Sequence, residues 1–158
     1  MQAHGLSFSV PGTPAAAAAA RRRVMSDLRS WSVQFDAQSL QNVELVTSEL
    51  ITNAVQHAGG DLVAVSARLH GEVLLVEVFD TSAELPSAGF ADLDDEGGRG
   101  LFLVAALSAN HGAERTPTGK RCWAEIPVGR VPRTGTRQVS GGSTATQMAG
   151  ARVPLRCV

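Results

Sequence analysis

The sequence predicts an α+β fold, a two-layer α/β sandwich in which a mixed, mostly antiparallel sheet carries its helices on one face. Two observations predict it. Short runs rich in β-formers come in pairs around turn-forming residues, and two longer segments repeat apolar residues at helical spacing. The chain of 158 residues is long enough for one core with tails. Residues 1–5 form an N-terminal extension, 6–127 the domain and 128–158 a flexible tail.

Leu6-Ser7-Phe8-Ser9-Val10 alternates and reads as the first strand. Pro11-Gly12-Thr13-Pro14 turns the chain, with Thr13 an N-cap and Pro14 the first helical residue. The helix is expected to run to about Phe35, with Val24, Leu28 and Trp31 on its apolar side. Arg21, Arg22 and Arg23 give it a charged face, solvated or used by a partner. A second helix spans Leu40 to Ala58, preceded by capping residues between Asp36 and Ser39 and ended by Gly59-Gly60. Its Val43, Val46 or Thr47, Leu50, Ala54 and Ala58 face a core. Leu62 to Leu69 and Val73 to Phe79 make a hairpin around His70-Gly71-Glu72. A glycine-rich stretch then leads into a third helix. His111 to Arg115 and Arg121 to Ile126 pair around Pro117-Thr118-Gly119. From Val128 on, Gly, Ser, Thr, Arg and Pro dominate and apolar periodicity ends, the composition of a disordered tail.

Composition narrows the function. A net charge of −1 gives no pull towards nucleic acid or membrane, and 4% aromatics with no Tyr disfavours a base-stacking surface. No apolar run approaches a membrane span, and the N-terminus lacks a signal-peptide pattern. Cys122 falls in an expected strand and Cys157 in the tail, which argues against a structural disulfide and for a reduced, cytoplasmic location.

Three segments carry chemistry. In Glu49-Leu50-Ile51-Thr52-Asn53-Ala54-Val55-Gln56-His57, the residues Glu49, Asn53 and His57 stand four apart and share one helix face beside the apolar stripe. A carboxylate and an amide oxygen one turn apart can hold a water and a hard cation such as Mg²⁺; the alternative is a solvated polar edge. Asp80 ends the strand before Thr81-Ser82, where it either caps the turn or accepts a hydrogen bond from an exocyclic amine such as that of adenine. Glu96-Gly97-Gly98-Arg99-Gly100-Leu101 opens a helix; glycines admit close backbone approach, and helix-opening N–H groups favour anions.

In this order and spacing the three segments resemble the N, G1 and G2 boxes of the nucleotide-binding domain shared by histidine kinases and gyrase, the GHKL or Bergerat fold. Gly119-Lys120-Arg121-Cys122-Trp123-Ala124-Glu125-Ile126 resembles that family's last core strand. The sequence is most similar to the stand-alone anti-sigma-factor serine kinases and their actinobacterial relatives. The resemblance implies ATP and Mg²⁺ as cofactors. It implies Asn53 as the metal ligand and Glu49 as the catalytic group that polarises a hydroxyl or water. Asp80, beside Ser82, would read the adenine amine. Gly98 and Gly100, with Leu101 starting the helix behind them, would cradle phosphates. His57 matches the family and either shapes the pocket or packs. Ser82 and Ala83 replace the Gly-x-Gly of many relatives, leaving a stiffer turn. The lid between the last two boxes, Ala83 to Glu96, holds Glu84, Asp92, Asp94, Asp95 and Glu96 but no Lys or Arg. That leaves Arg99 as either a phosphate partner or a solvated helix-start residue.

Three function classes follow. The first is an ATP-dependent protein serine/threonine kinase that binds a sigma factor and phosphorylates an anti-sigma-factor antagonist. The second is a nucleotide-dependent protein-binding switch without phosphoryl transfer, which the acidic lid favours. The third, a histidine-kinase catalytic fragment, is disfavoured because no helix pair with an acceptor His precedes the first box. Gyrase-like work is disfavoured by length. Relatives in this branch are often homodimers, although no exposed interface pattern in the sequence compels it.

Overall fold

The computed structural model of the protein describes residues 3–82 and 96–131. In chain order the elements are β1 (Gly5–Gly12), α1 (Pro14–Ser30), α2 (Ala37–Ala58), β2 (Gly60–His70), β3 (Val73–Asp80), α3 (Glu96–Leu107), β4 (Asn110–Thr116) and β5 (Gly119–Pro127). The strands form one sheet in the order β1-β2-β3-β5-β4. Every adjacent pair is antiparallel, so among the described residues the expected mixed sheet is antiparallel throughout.

Strand parity separates the two faces of the sheet. Phe8 pairs with Val65, Val65 with Val78 and Val78 with Cys122, so one buried row crosses four strands. Val63, Ala67, Leu74, Val76, Ala124 and Ile126 extend this face. The face is covered by α2, which packs against β1, β2, β3 and β5 and is flanked by α1 and α3. All the apolar positions expected of the second helix are buried, and Ile51 joins them at 0% exposure. Each such aliphatic side chain contributes about 1.5–3 kcal/mol by leaving water.

Local chemistry sets the helix ends. Thr13 accepts a hydrogen bond from Ala16 N–H at 3.2 Å, with Pro14 behind it, as the sequence predicts. Asp36 likewise accepts from Ser39 N–H at 2.7 Å and caps α2. These bonds favour the ionised carboxyl and lower its pKa. Gly59, at φ 59°, ends α2 in the left-handed conformation that a glycine adopts without strain.

The first helix stops at Ser30, not near Phe35. Trp31 turns extended, its ring stacks on His4 at 5.4 Å, and residues 34–36 pair with the chain leaving β5. Asp36 N–H donates to Gly129 O, and Val131 N–H donates to Gln34 O. Tertiary pairing thus takes the backbone groups that a longer helix would have used. The same contacts hold residues 128–131, which the composition assigns to the tail. Val128 is buried, and Gly129 N–H donates to Ser39 Oγ at 2.7 Å. Residues 132–158, with Cys157, lie outside the described part. Cys122 is a free, buried thiol.

The opposite sheet face carries a satisfied ion network. Glu77 is buried and accepts from Ser66 Oγ (2.9 Å), Arg68 Nη2 (3.1 Å) and Arg121 Nε (2.7 Å). Arg121 also pairs with Glu114 at 2.9 Å. Burial alone would raise the Glu77 pKa. The hydrogen bonds from Arg121 and Ser66 and the nearby arginine charges outweigh it, and the pKa falls below the ordinary 4.5. A carboxyl whose folded pKa is depressed stabilises fully above its unfolded pKa and loses that contribution as pH falls through the folded value. Urea unfolding should therefore find Glu77→Gln roughly 2 kcal/mol less stable than wild type near pH 7, with the gap shrinking well below pH 4.5. A gap independent of pH would show that Glu77 acts by packing alone.

Candidate functional site

Helix α2 brings two of the three sequence segments together. The Glu49 carboxylate lies against the backbone of Gly100 in α3: a Cβ added to Gly100 would collide with Oε2 and stand 3.0 Å from Cδ. The carboxylate fills the space that a side chain at position 100 would take. Gly100 is buried and Glu49 half-buried, so the acid sits where the two helices meet. One turn on, Asn53 is half-buried, and its Oδ1 is fully buried with no hydrogen-bond partner among the described residues. Such an orphaned carbonyl oxygen costs on the order of 1–3 kcal/mol. Unsatisfied buried oxygens of this kind call for an explanation, and a ligand is one. His57 is exposed, and its Nδ1–H donates to the Asn53 backbone carbonyl at 2.8 Å. The ring caps its own helix instead of packing in the core.

Asp80 occupies the end of β3. Its side chain is 1% exposed. Oδ1 accepts from Ser82 N–H at 2.8 Å, which closes the Asx-type turn read from Asp-Thr-Ser. Oδ2 is buried, with no hydrogen bond among the described residues. Gly119, at the start of β5, lies on this turn: a Cβ there would collide with Asp80 O and come within 2.6 Å of Thr81 Cα. Opposite Asp80 in register stands Lys120, 0% exposed, with Nζ 3.5 Å from Asp80 Oδ2. Sequence reasoning missed Lys120. Its signal is parity: in Gly119-Lys120-Arg121-Cys122-Trp123-Ala124-Glu125-Ile126, the lysine shares the inward set with Cys122, Ala124 and Ile126.

The glycine segment differs from the expected loop. Helix α3 begins at Glu96, so Gly97, Gly98 and Gly100 lie within its first turns. N–H groups of a first turn lack intrahelical acceptors and point to where an anion would sit. Leu101 is half-buried behind them. The Arg99 side chain and the acidic lid, residues 83–95, lie outside the described residues. Helix α2 packs against β3, which ends in Asp80, and against α3, whose Gly100 meets Glu49.

The oxygen set suits a magnesium ion. Mg²⁺ takes one or two protein oxygens and completes its shell with water and phosphate, and Asn53 Oδ1 is a buried oxygen with no hydrogen-bond partner among the described residues. No cluster of three acidic, His or Cys ligands exists among the described residues.

The sequence profile of the histidine kinase-like ATPase domain matches residues 10–126. The chain belongs to this family. Among solved structures, the RsbU and RsbW domains of Rv1364c from Mycobacterium tuberculosis align with a TM-score of 0.58 at 18% identity, over 85% of this chain and 35% of that one. A histidine kinase domain from the blue-light activated histidine kinase of Erythrobacter litoralis EL346 gives 0.46 at 24% identity, over 75% and 62%. This chain therefore spans about a third of the length of the first structure and under two thirds of the second. No curated protein matches the sequence. The likeness to the RsbU–RsbW structure is one of fold. No helix among the described residues is long and apolar enough to cross a membrane.

Proposed function

We propose that this histidine kinase-like ATPase domain binds ATP with Mg²⁺ and acts as an anti-sigma-factor type serine/threonine-protein kinase. It transfers the γ-phosphoryl group to a serine of an antagonist protein and regulates a sigma factor by binding it. The observation that carries the reading is the Glu49 carboxylate held against Gly100, one helical turn from the orphaned Asn53 oxygen. An acid, a metal-seeking oxygen and a helix-opening turn side by side match what phosphoryl transfer asks of a protein, which is mainly positioning and charge neutralisation. The partner classes follow from the resemblance of the Glu49–His57, Asp80–Ser82 and Gly97–Leu101 segments to the anti-sigma-factor serine kinases.

In this reading Glu49 accepts the hydrogen bond of the serine hydroxyl and takes its proton as the oxygen attacks. The first-turn N–H groups of α3 hold phosphate oxygens. Asp80 Oδ2 accepts from the adenine amine and orients the base. Asn53 would hold the metal, which when bound offsets the charge of the phosphates.

Glu49→Ala should reduce transfer to a partner at least 100-fold while nucleotide affinity stays within about two-fold, since general-base catalysis is worth 10²–10⁴. Radiolabelled phosphate transfer and calorimetry on the same preparation read both. A mutant with undiminished transfer would remove Glu49 from the chemistry. A wild type that binds nucleotide and the partner without transferring phosphate would establish the second reading, a nucleotide-dependent binding switch. Gly100→Ala is the companion variant. Glu49 is flexible at its carboxylate, so the added methyl should cost under about 1 kcal/mol of stability yet displace the acid and reduce transfer more than ten-fold. Intact transfer in Gly100→Ala would show that the close approach does not position Glu49.

A further inference from the structure

The turn that ends β3 is held differently from its two sides. Towards β5 the ladder reaches Asp80, which pairs with Lys120, and the Gly119 backbone packs against Asp80 O and Thr81 Cα. Towards β2 the ladder stops one pair earlier, at Ala64 and Phe79. Beyond that pair a side-chain bond links the strands: Thr81 Oγ1 donates to Asp61 Oδ2 at 3.0 Å. Asp61 is itself well anchored. It follows Gly59 and Gly60, at φ 59° and 94°, where the chain leaves α2 for β2. Its carbonyl lies against Gly12 of β1, where an added Cβ would stand 2.6 Å from Asp61 O and 2.9 Å from Ala58 Cβ.

Both partners of this bond are exposed, so it adds little to folding stability. Its consequence is directional. Asp80 Oδ1 is taken by Ser82 N–H at 2.8 Å, so the backbone of the turn sets where Oδ2 points. Thr81 joins those two residues, and its β-branched side chain is stiff about χ1. Fixing the Thr81 hydroxyl on Asp61 therefore fixes the peptide units on either side of it. Resting on the ATP-binding reading above, we propose that Asp61 is a positioning residue for base recognition. Through Thr81 it holds the Asp80 carboxyl in the direction from which Oδ2 accepts from the adenine amine. A hydroxyl bonded to a carboxylate suits the task, because bonds to an ionised acceptor are short and strong. The strap also ties the base-reading turn to the chain leaving α2, the helix that carries Glu49 and Asn53.

The test compares ADP with inosine diphosphate, which carries an oxygen in place of the N6 amine, using calorimetry on the full chain with Mg²⁺ present. Wild type should prefer ADP by about ten-fold or more, the usual loss when a buried acceptor meets no donor. Thr81→Val removes the donor without changing charge. It should narrow that preference by about three-fold or more while its urea midpoint stays at the wild-type value. Asp61→Ala should narrow it equally, and the double variant no further than about two-fold beyond either single one, because all three lose the same bond. Thr81→Ser, which keeps the hydroxyl, should retain the wild-type preference. A Thr81→Val protein with the wild-type preference would overturn the role of Asp61. So would additive effects in the double variant, or a weakening in Asp61→Ala that is the same for both nucleotides. Failure of wild type to bind ADP at all would instead overturn the ATP-binding reading and this inference with it.

Discussion

Replacing Asp80 by alanine is expected to cost roughly 3–5 kcal/mol of folding stability and to abolish measurable nucleotide affinity. The stability loss comes from Lys120. With Asp80 gone, a lysine at 0% exposure has lost the carboxylate 3.5 Å away. Breaking one side of a buried pair costs more than the pair was worth, because the remaining charge stays buried without the carboxylate that faced it. A domain of this size has about 5–15 kcal/mol in total, so Asp80→Ala should unfold at visibly lower urea and temperature. The effect also separates two roles for Asp80. In Asp80→Ala/Lys120→Met both charges are gone, and most of the stability should return while nucleotide affinity should not. Urea melts and calorimetry on the single and double variants check this. A double variant as unstable as Asp80→Ala would mean that Asp80 stabilises through its bond to Ser82 N–H rather than through Lys120.

Asn53→Ala should act in the opposite way, weakening function while leaving the fold intact or slightly more stable. The Asn53 Oδ1 atom is buried without a hydrogen-bond partner among the described residues, so removing it relieves an unmet hydrogen-bonding group. The side chain is half-buried at the edge of α2, and alanine is the best helix former. Stability should therefore change by less than about 1 kcal/mol. Mg-ATP affinity should fall ten-fold or more, with little further change when Mg²⁺ is chelated. In wild type, chelation itself should weaken binding. Calorimetry with and without chelator decides it. If the metal dependence of binding is the same in Asn53→Ala and wild type, Asn53 is not the metal's ligand, and its orphaned oxygen needs another explanation.

Much of this fold is legible in local pattern. The turn Thr13-Pro14, the Asp36 cap and the αL glycine at 59 are short-range chemistry, and each falls where the residues direct it. The inward face of α2 follows from helical spacing, and the hairpin around Gly71 from paired β-rich runs. The end of α1 was not legible, because what stops it lies a hundred residues away. Residues 34–36 pair with 129–131, and no local signal near Trp31 announces that pairing. Residues 128–131 escaped for the same reason: their composition is that of a tail, and their order comes from contacts with Ser39 and Gln34.

The site divides along the same line. The sequence by itself determined which residues could do chemistry: Glu49 and Asn53 one turn apart on one helix face, Asp80 at a strand's end, glycines opening a helix. These are questions of period and residue type, which backbone geometry settles locally. Only the tertiary structure decided which of them meet. It set the Glu49 carboxylate against Gly100 across the crossing of α2 and α3, left Asn53 Oδ1 buried with no partner among the described residues, and stood Lys120 opposite Asp80 through the register of β3 and β5. Helix crossing and strand register depend on packing between segments far apart in the chain. Lys120 therefore ends up at 0% exposure, with Nζ 3.5 Å from Asp80 Oδ2.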